Sequence, residues 1–212
     1  MTNTNPYGQT INGMLKKIKM LEAISKNILN INSIGYKREI PESLSFKSVL
    51  EKEAALRDNS QGQLKRTGNT FDIAIEGNAH FLTETKDGLI PSRSGRFHLN
   101  ENGDLVTIEG DKVVIVEKTD KRINLALESE IKINERGEII INNEKYGRLA
   151  IEVLDNKPVK VHQGFIEGSN INIMTEMASM SILYRSIEAS EKALGMEASV
   201  DRDLIEKYGR NV

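Results

Sequence analysis

The period of the apolar residues changes twice along this chain, and that change limits what the chain can fold into. Near the N-terminus, Ile11, Met14, Ile18, Leu21, Ser25 and Ile28 recur at spacings of 3, 4, 3, 4 and 3, with Lys16, Lys17, Lys19 and Lys26 off the row. This is an apolar helix stripe interrupted at Ser25 and again at Asn32. Gly35, a residue suited to a left-handed helix end, closes the pattern. From about Asn172 to Tyr208 a second row runs through Ile173, Met177, Met180, Tyr184, Ile187, Glu191, Leu194 and Ala198 at alternating spacings of 4 and 3. Isolated helices are marginal in water, so each stripe needs a partner.

Between the ends the period falls towards two. Phe71–Ile75, Arg96–Leu99, Val113–Val116 and Glu138–Ile141 read as strands. Asp87-Gly88, Asn102-Gly103, Glu109-Gly110, Arg136-Gly137 and Asn142-Asn143 punctuate them, and such pairs supply the positive φ that hairpin turns require. Short strands with regular turns imply an antiparallel β-domain. The expected fold is therefore mixed α and β: N- and C-terminal α-helices pairing as a coiled coil around a central antiparallel all-β domain. The expected boundaries are 1–35 for the first helix, 36–69 for a weakly structured connector, 70–163 for the β-domain and 164–212 for the last helix.

Composition removes whole classes of function. The formal charge is −2 with acids and bases interspersed, which gives no basic face for nucleic acid. The chain has no cysteine, which excludes a thiol nucleophile, a disulfide framework and a Cys-based zinc site. Met1 to Tyr7 is polar and does not read as a cleavable secretory signal. No stretch approaches the ~18 apolar residues of a membrane span, so no membrane insertion is expected.

Catalytic chemistry finds no foothold. His80, His98 and His162 are far apart and in no metal-ligand spacing. Asp72 and Glu76 would lie on one strand face about 13 Å apart, beyond the separation of a glycosidase pair. Asp72 is better read as capping a turn or pairing with an arginine such as Arg93. Gly77 and Gly95 suit bulge or turn positions. No catalytic, cofactor-binding or metal-ligating residue is assigned.

Three stretches, in order, carry a family resemblance. Asn27-Ile28-Leu29-Asn30 followed by Ile34-Gly35-Tyr36-Lys37 is similar to the end of the first helix in bacterial flagellar rod and hook proteins, with Ile34 where Thr is usual. Gln61–Asn69 and Asp72–Gly77, then Ser92–Phe97 and Gly103–Val106, resemble the family's entry into its β-domain; Gly77-Asn78-Ala79-His80-Phe81 lacks one Gly and one aromatic of that pattern. Gln163–Asn172 resembles the signature that opens the C-terminal helix, continued by Glu176-Met177, Arg185, Glu188-Ala189 and Lys192. The short stretch from Lys37 to Gln61 and Tyr146-Gly147-Arg148-Leu149 resemble the proximal rod type, with the distal rod or hook type as the alternative.

The resemblance implies a non-enzymatic axial subunit, exported through the flagellar type III apparatus without signal cleavage. It also implies assembly with itself and with other rod proteins through its terminal helices. The expected interface is Ile11, Met14, Ile18, Leu21, Ile28, Asn30 and Asn32 on the N-terminal side. On the C-terminal side it is Ser169, Asn170, Asn172, Met177, Met180, Tyr184, Ile187 and Leu194. Ser169 or Asn170 suits the N-cap of the last helix. Asn30 and Asn32 are either a helix-end turn or buried polar residues setting register. The competing reading is a soluble monomeric binding protein with a helical stalk, whose ends would resist protease in isolation.

Overall fold

The computed structural model describes residues 6–41, 56–118, 130–155 and 157–209. The chain divides into two compact units: one holds the described residues of Met1–Leu29, Glu39–Arg57 and Asn172–Val212, the other those of Asn30–Arg38 and Asp58–Ile171.

The first unit is built on two helices, α1 (Pro6–Leu29) and α2 (Ile173–Gly209). Pro6 suits a first helical turn, where its missing N–H costs nothing. Asn172 ends the chain's approach to α2: its Oδ1 accepts from Met174 N at 3.0 Å and Thr175 N at 3.3 Å, and its carbonyl accepts from Glu176 N. Asn172 is therefore the N-cap, and Ser169 and Asn170 are not. Lys17 Nζ reaches Ser186 O and Ser190 Oγ, while Asn27 meets Glu176, so the helices lie side by side and run in opposite directions. With 24 residues in α1 and 37 in α2, the second outruns the first by about 20 Å.

The second unit is entirely antiparallel, and numbering follows the chain. The strands are β1 (Leu64–Arg66), β2 (Ile73–Glu76), β3 (Ala79–Thr85), β4 (Gly88–Ser92), β5 (Phe97–Leu99), β6 (Leu105–Thr107) and β7 (Lys112–Val113). After them come β8 (Ile115–Val116), β9 (Ile131–Ile133), β10 (Glu138–Ile141), β11 (Glu144–Leu149), β12 (Ile151–Val153), β13 (Lys160–Gln163) and β14 (Phe165–Glu167). One sheet runs β12-β3-β7-β6-β5 with β4 also on β3; another runs β8-β11-β10-β9; β1 pairs with β14 and β2 with β13. β1 and β14 lie outside residues 70–163.

Each turn pair read from the sequence sits at a hairpin. Gly88, Gly103, Gly110 and Gly137 have positive φ, and between β10 and β11 both Asn142 (50°) and Asn143 (66°) do, as a two-residue primed turn requires. Alternation along the strands turns Ile73, Ile75, Phe81, Phe97, Ile139, Tyr146, Leu149 and Val161 into one core. Phe81 and Phe97 meet edge to face at 5.2 Å, a favoured ring geometry, and burying each contributes about 1.5–3 kcal/mol.

Gly35 does not cap α1, which ends six residues earlier in a run of turns. Its φ is +67°, and a Cβ there would overlap the carbonyl of Arg93. The left-handed conformation was legible; its purpose is a close approach of two backbones. Gly95 is similar, since a Cβ there would overlap the carbonyl of Ile73.

Candidate functional site

Within the helical unit, the contact face of α1 centres on Ala23, Ile24 and Asn27, all buried, with Met14, Leu21 and Ile28 half-buried beside them. Ile11 and Ile18 point elsewhere and are 49% and 41% exposed. α2 shows the same division. Glu176 and Leu183 are buried and Met180, Ile187 and Leu194 half-buried, whereas Met177 (57%) and Tyr184 (52%) stand in solvent. The expected rows thus split: alternate members face the partner helix, and the rest form a second, outward apolar face.

Two polar residues are buried on this contact, Asn27 and Glu176, both completely enclosed. Asn27 Nδ2 donates to Glu39 O at 2.9 Å and to Glu176 Oε2 at 3.3 Å, and Asn27 Oδ1 accepts from Glu39 N at 2.9 Å. Asn30 and Asn32, read from the sequence as either a helix-end turn or buried register residues, lie in the run of turns that follows α1. Asn30 is half-buried in a turn with Ser33, which donates to it from both N and Oγ, and Asn32 is exposed. Asn27 was part of the motif but not singled out, because pattern reading weighs apolar positions and Asn27 sits one residue off the chosen row.

Within the β unit a buried ionic knot gathers around Glu167. Its Oε1 accepts from Lys37 Nζ (2.8 Å) and Gly62 N (2.8 Å), and its Oε2 from Arg93 Nε (2.5 Å). Arg93 also donates to Ala79 O, to Ile75 O (2.9 Å) and to Gln61 Oε1 (3.0 Å), and Lys37 to Ser60 O (2.7 Å). Lys37 thus makes two of these bonds and Arg93 four, which is what makes buried charge tolerable. Burial pushes the Lys37 ammonium below its ordinary range, against the pull of the Glu167 carboxylate. Arg93 therefore pairs with Glu167 and not with Asp72, whose carboxylate lies 3.8 Å from Arg96.

Asn170 and Ser169 belong to the same region. Asn170 Oδ1 accepts from Arg38 N (2.8 Å) while Nδ2 donates to Asp58 O (2.7 Å) and Ser60 O (3.2 Å), and Ser169 Oγ donates to Ile31 O (2.5 Å). Three segments distant in sequence are stitched together, so the polar motif residues tie the chain entering the β unit to the chain leaving it. The histidines are scattered: His98 is exposed, His162 pairs with Glu76 at 2.7 Å, and His80 is half-buried on β3. Burial, then the Arg93 charge, hold the His80 imidazole below its ordinary range. Among the described residues no cluster of His, Asp or Glu could hold a metal ion, and no helix is long and apolar enough to cross a membrane.

Two family models match this chain: the C-terminal region of flagellar basal-body rod FlgEFG proteins over residues 162–206, and the D1 domain of flagellar hook proteins FlgE/F/G over residues 74–141. A relative from Rhizobium meliloti (strain 1021), the flagellar basal-body rod protein FlgF, is 30% identical over 205 residues, covering 80% of this chain and 83% of that protein. The chain belongs to the flagellar basal-body rod protein family. A FlgF from Mesorhizobium japonicum is 28% identical over 90% of this chain and 92% of its own length. A rod protein FlgG from Agrobacterium fabrum is 27% identical over 86% and 91%. The chain is thus a structural component of the flagellar basal body and not an enzyme. The two matched regions meet the two features just described: residues 74–141 hold most of the β core and Arg93, and residues 162–206 carry Glu167, Asn170, the cap Asn172 and most of α2.

Proposed function

We propose that this rod protein assembles with copies of itself and with other axial proteins through the outward faces of α1 and α2. On assembly the two helices pair as a coiled coil. The observation that carries this reading is the second apolar face, with Ile11 and Ile18 on α1 and Met177 and Tyr184 on α2 all more than 40% exposed. Unpartnered rows of this kind mark interaction surfaces, whereas single exposed apolar residues do not. Met14, Leu21, Ile28, Met180, Ile187 and Leu194 form the seam within one copy, and the exposed members form the seam between copies. Asn30, Asn32, Ser169, Asn170 and Asn172 set the helix ends at that interface.

The similarity to proteins named FlgF favours the proximal rod type, and we read the uncleaved chain as a substrate of the flagellar type III export apparatus. The test is Ile18→Glu combined with Tyr184→Glu, expressed in a strain lacking this protein. The purified variant is expected to keep its circular dichroism and urea midpoint, because both positions are exposed, while basal bodies isolated from the strain stop short of a complete rod. Normal motility in that strain would overturn the reading. Helices that resist protease in the isolated chain would favour a stable monomer with a stalk.

A further inference from the structure

Within the helical unit, α1, α2 and the connector meet at one enclosed amide. The described residues of the connector at 39–41 and 56–57 group with the two helices and not with the β unit. They form one antiparallel bridge, Glu39 with Arg57, beside which Ile40 N donates to Leu56 O at 2.8 Å. So short a pairing falls well below the three or more strands that are stable in water, so it needs support. Asn27 supplies it. Its side chain takes both backbone groups of Glu39, accepting from the N–H and donating to the C=O at 2.9 Å each, as a neighbouring strand would. Lys26 adds little: its Nζ stands 3.8 Å from the Glu39 carboxylate and its side chain is 62% exposed, where ion pairs are weak.

An enclosed amide needs an acceptor for each of its two protons. One proton of Asn27 Nδ2 goes to Glu39 O and the other to Glu176 Oε2, in the first turn of α2. Glu176 is itself fully buried, at a helix N-terminus whose field favours a negative group. Without it a buried N–H loses its acceptor, which disfavours the enclosed arrangement roughly tenfold. Without α2 as a whole, Asn27 would lie open to water, which competes for Glu39 and leaves the amide bonds a small net effect. α2 therefore supplies both the burial and the second anchor that make the grip of Asn27 on Glu39 effective.

We propose that Asn27 couples the connector to the pairing of the helices: it holds Glu39 only while Glu176 holds Asn27, so the connector docks on the α1–α2 pair and not on α1 alone. Glu176 is then a positioning residue that acts on the connector through the Asn27 amide. The coupling lies within one copy and needs no neighbour, so it goes beyond the assembly reading. Its consequence is that the helices and the connector order in one step. A polar pair that merely fills the contact between α1 and α2 would leave the connector indifferent to Glu176.

Amide hydrogen exchange of the full chain separates the two. Ile40 N reports the connector, Ile24 and Leu183 the helices, and Asp58, which donates to Arg38 O at 2.9 Å, the β unit. Asn27→Leu with Glu176→Leu replaces the polar pair by an apolar one of similar volume, a change that is often neutral or stabilising. Exchange at Ile24, Leu183 and Asp58 should stay within about twofold of the parent, while Ile40 exchanges about tenfold faster. Glu176→Leu alone should also release Ile40 by about tenfold relative to Leu183, although Asn27 is intact. Ile40 unchanged in either variant overturns the coupling. Where either variant loses its helical circular dichroism, the reversed pair decides. Asn27→Asp sets two carboxyls against each other, and adding Glu176→Gln gives one of them a donor again. The double should protect Ile40 about tenfold better than Asn27→Asp alone, and no recovery overturns the proposal as well.

Discussion

Replacing Glu167 by Gln removes one negative charge from a place where two cations lie buried beside it. The Glu167 side chain is 1% exposed, that of Lys37 8% and that of Arg93 5%, so water screens none of them appreciably. Gln is nearly the same size and can still accept from Gly62 N, so the perturbation is mainly electrostatic. Removing one partner of a buried pair costs about 3–5 kcal/mol, because the charge left behind is uncompensated. Against a typical total of ~5–15 kcal/mol this is a large fraction. With a urea slope of ~2 kcal/mol/M, the midpoint should fall by roughly 1.5–2.5 M. The assay is urea unfolding of the full chain followed by near-ultraviolet circular dichroism, for which Tyr146, buried in the β core, is the reporter. Adding Lys37→Met to Glu167→Gln should cost less than the sum of the two, since the uncompensated ammonium is gone. A shift below ~0.5 kcal/mol for Glu167→Gln alone would place the knot in water and refute the reasoning, because that is the range of ordinary surface changes.

Three further outcomes are expected. Asn172→Ala should destabilise the start of α2 by about 1 kcal/mol through loss of the N-cap, read as faster amide exchange at Met174 and Thr175. Gly95→Ala should cost about 1–3 kcal/mol, measured by urea midpoint, because its Cβ must displace the Ile73 carbonyl. His80 is held below its ordinary value of 6.5, so as pH falls below 6.5 the unfolded chain takes up this proton first. The β unit should then lose stability until the folded-state pKa is passed, after which this group adds no further slope. Urea midpoints at pH 7.5, 6 and 5 should fall less steeply in His80→Gln than in the parent; identical slopes would show that His80 is not the group responsible.

What the sequence could and could not reveal follows from the range of the interactions. The hairpins were legible because Asn142-Asn143 or Asp87-Gly88 acts within four residues, and the helices because their period is local. The inward face of α1 was harder to place. Apolar residues flank it on both sides, and burial was decided by Ala23 and Asn27, one small and one polar, which a hydrophobic row does not count. β1 and β14 escaped notice because three-residue strands in Gln63-Leu64-Lys65-Arg66 and Gly164-Phe165-Ile166-Glu167 show no usable period. Their pairing spans about a hundred residues and is dictated by the partner, not the segment. Glu167 looked like one acid among many; only the fold brings Lys37 and Arg93 to it.

The placement of that knot bears on how the β unit answers a pull. β1 and β14 run antiparallel, with Leu64 opposite Glu167 at the end where the chain comes in and goes out. Tension applied through the two flanking segments therefore loads this pair like a zipper, one rung at a time, starting from Leu64 and Glu167. That is the mechanically weak way to load a strand pair. Yet the first rung is the one whose side chain is held by Lys37, Arg93 and Gly62, with Asn170 bridging the two flanks just outside it. The fastening sits at the open end of the zipper, on the rung that peeling would reach first.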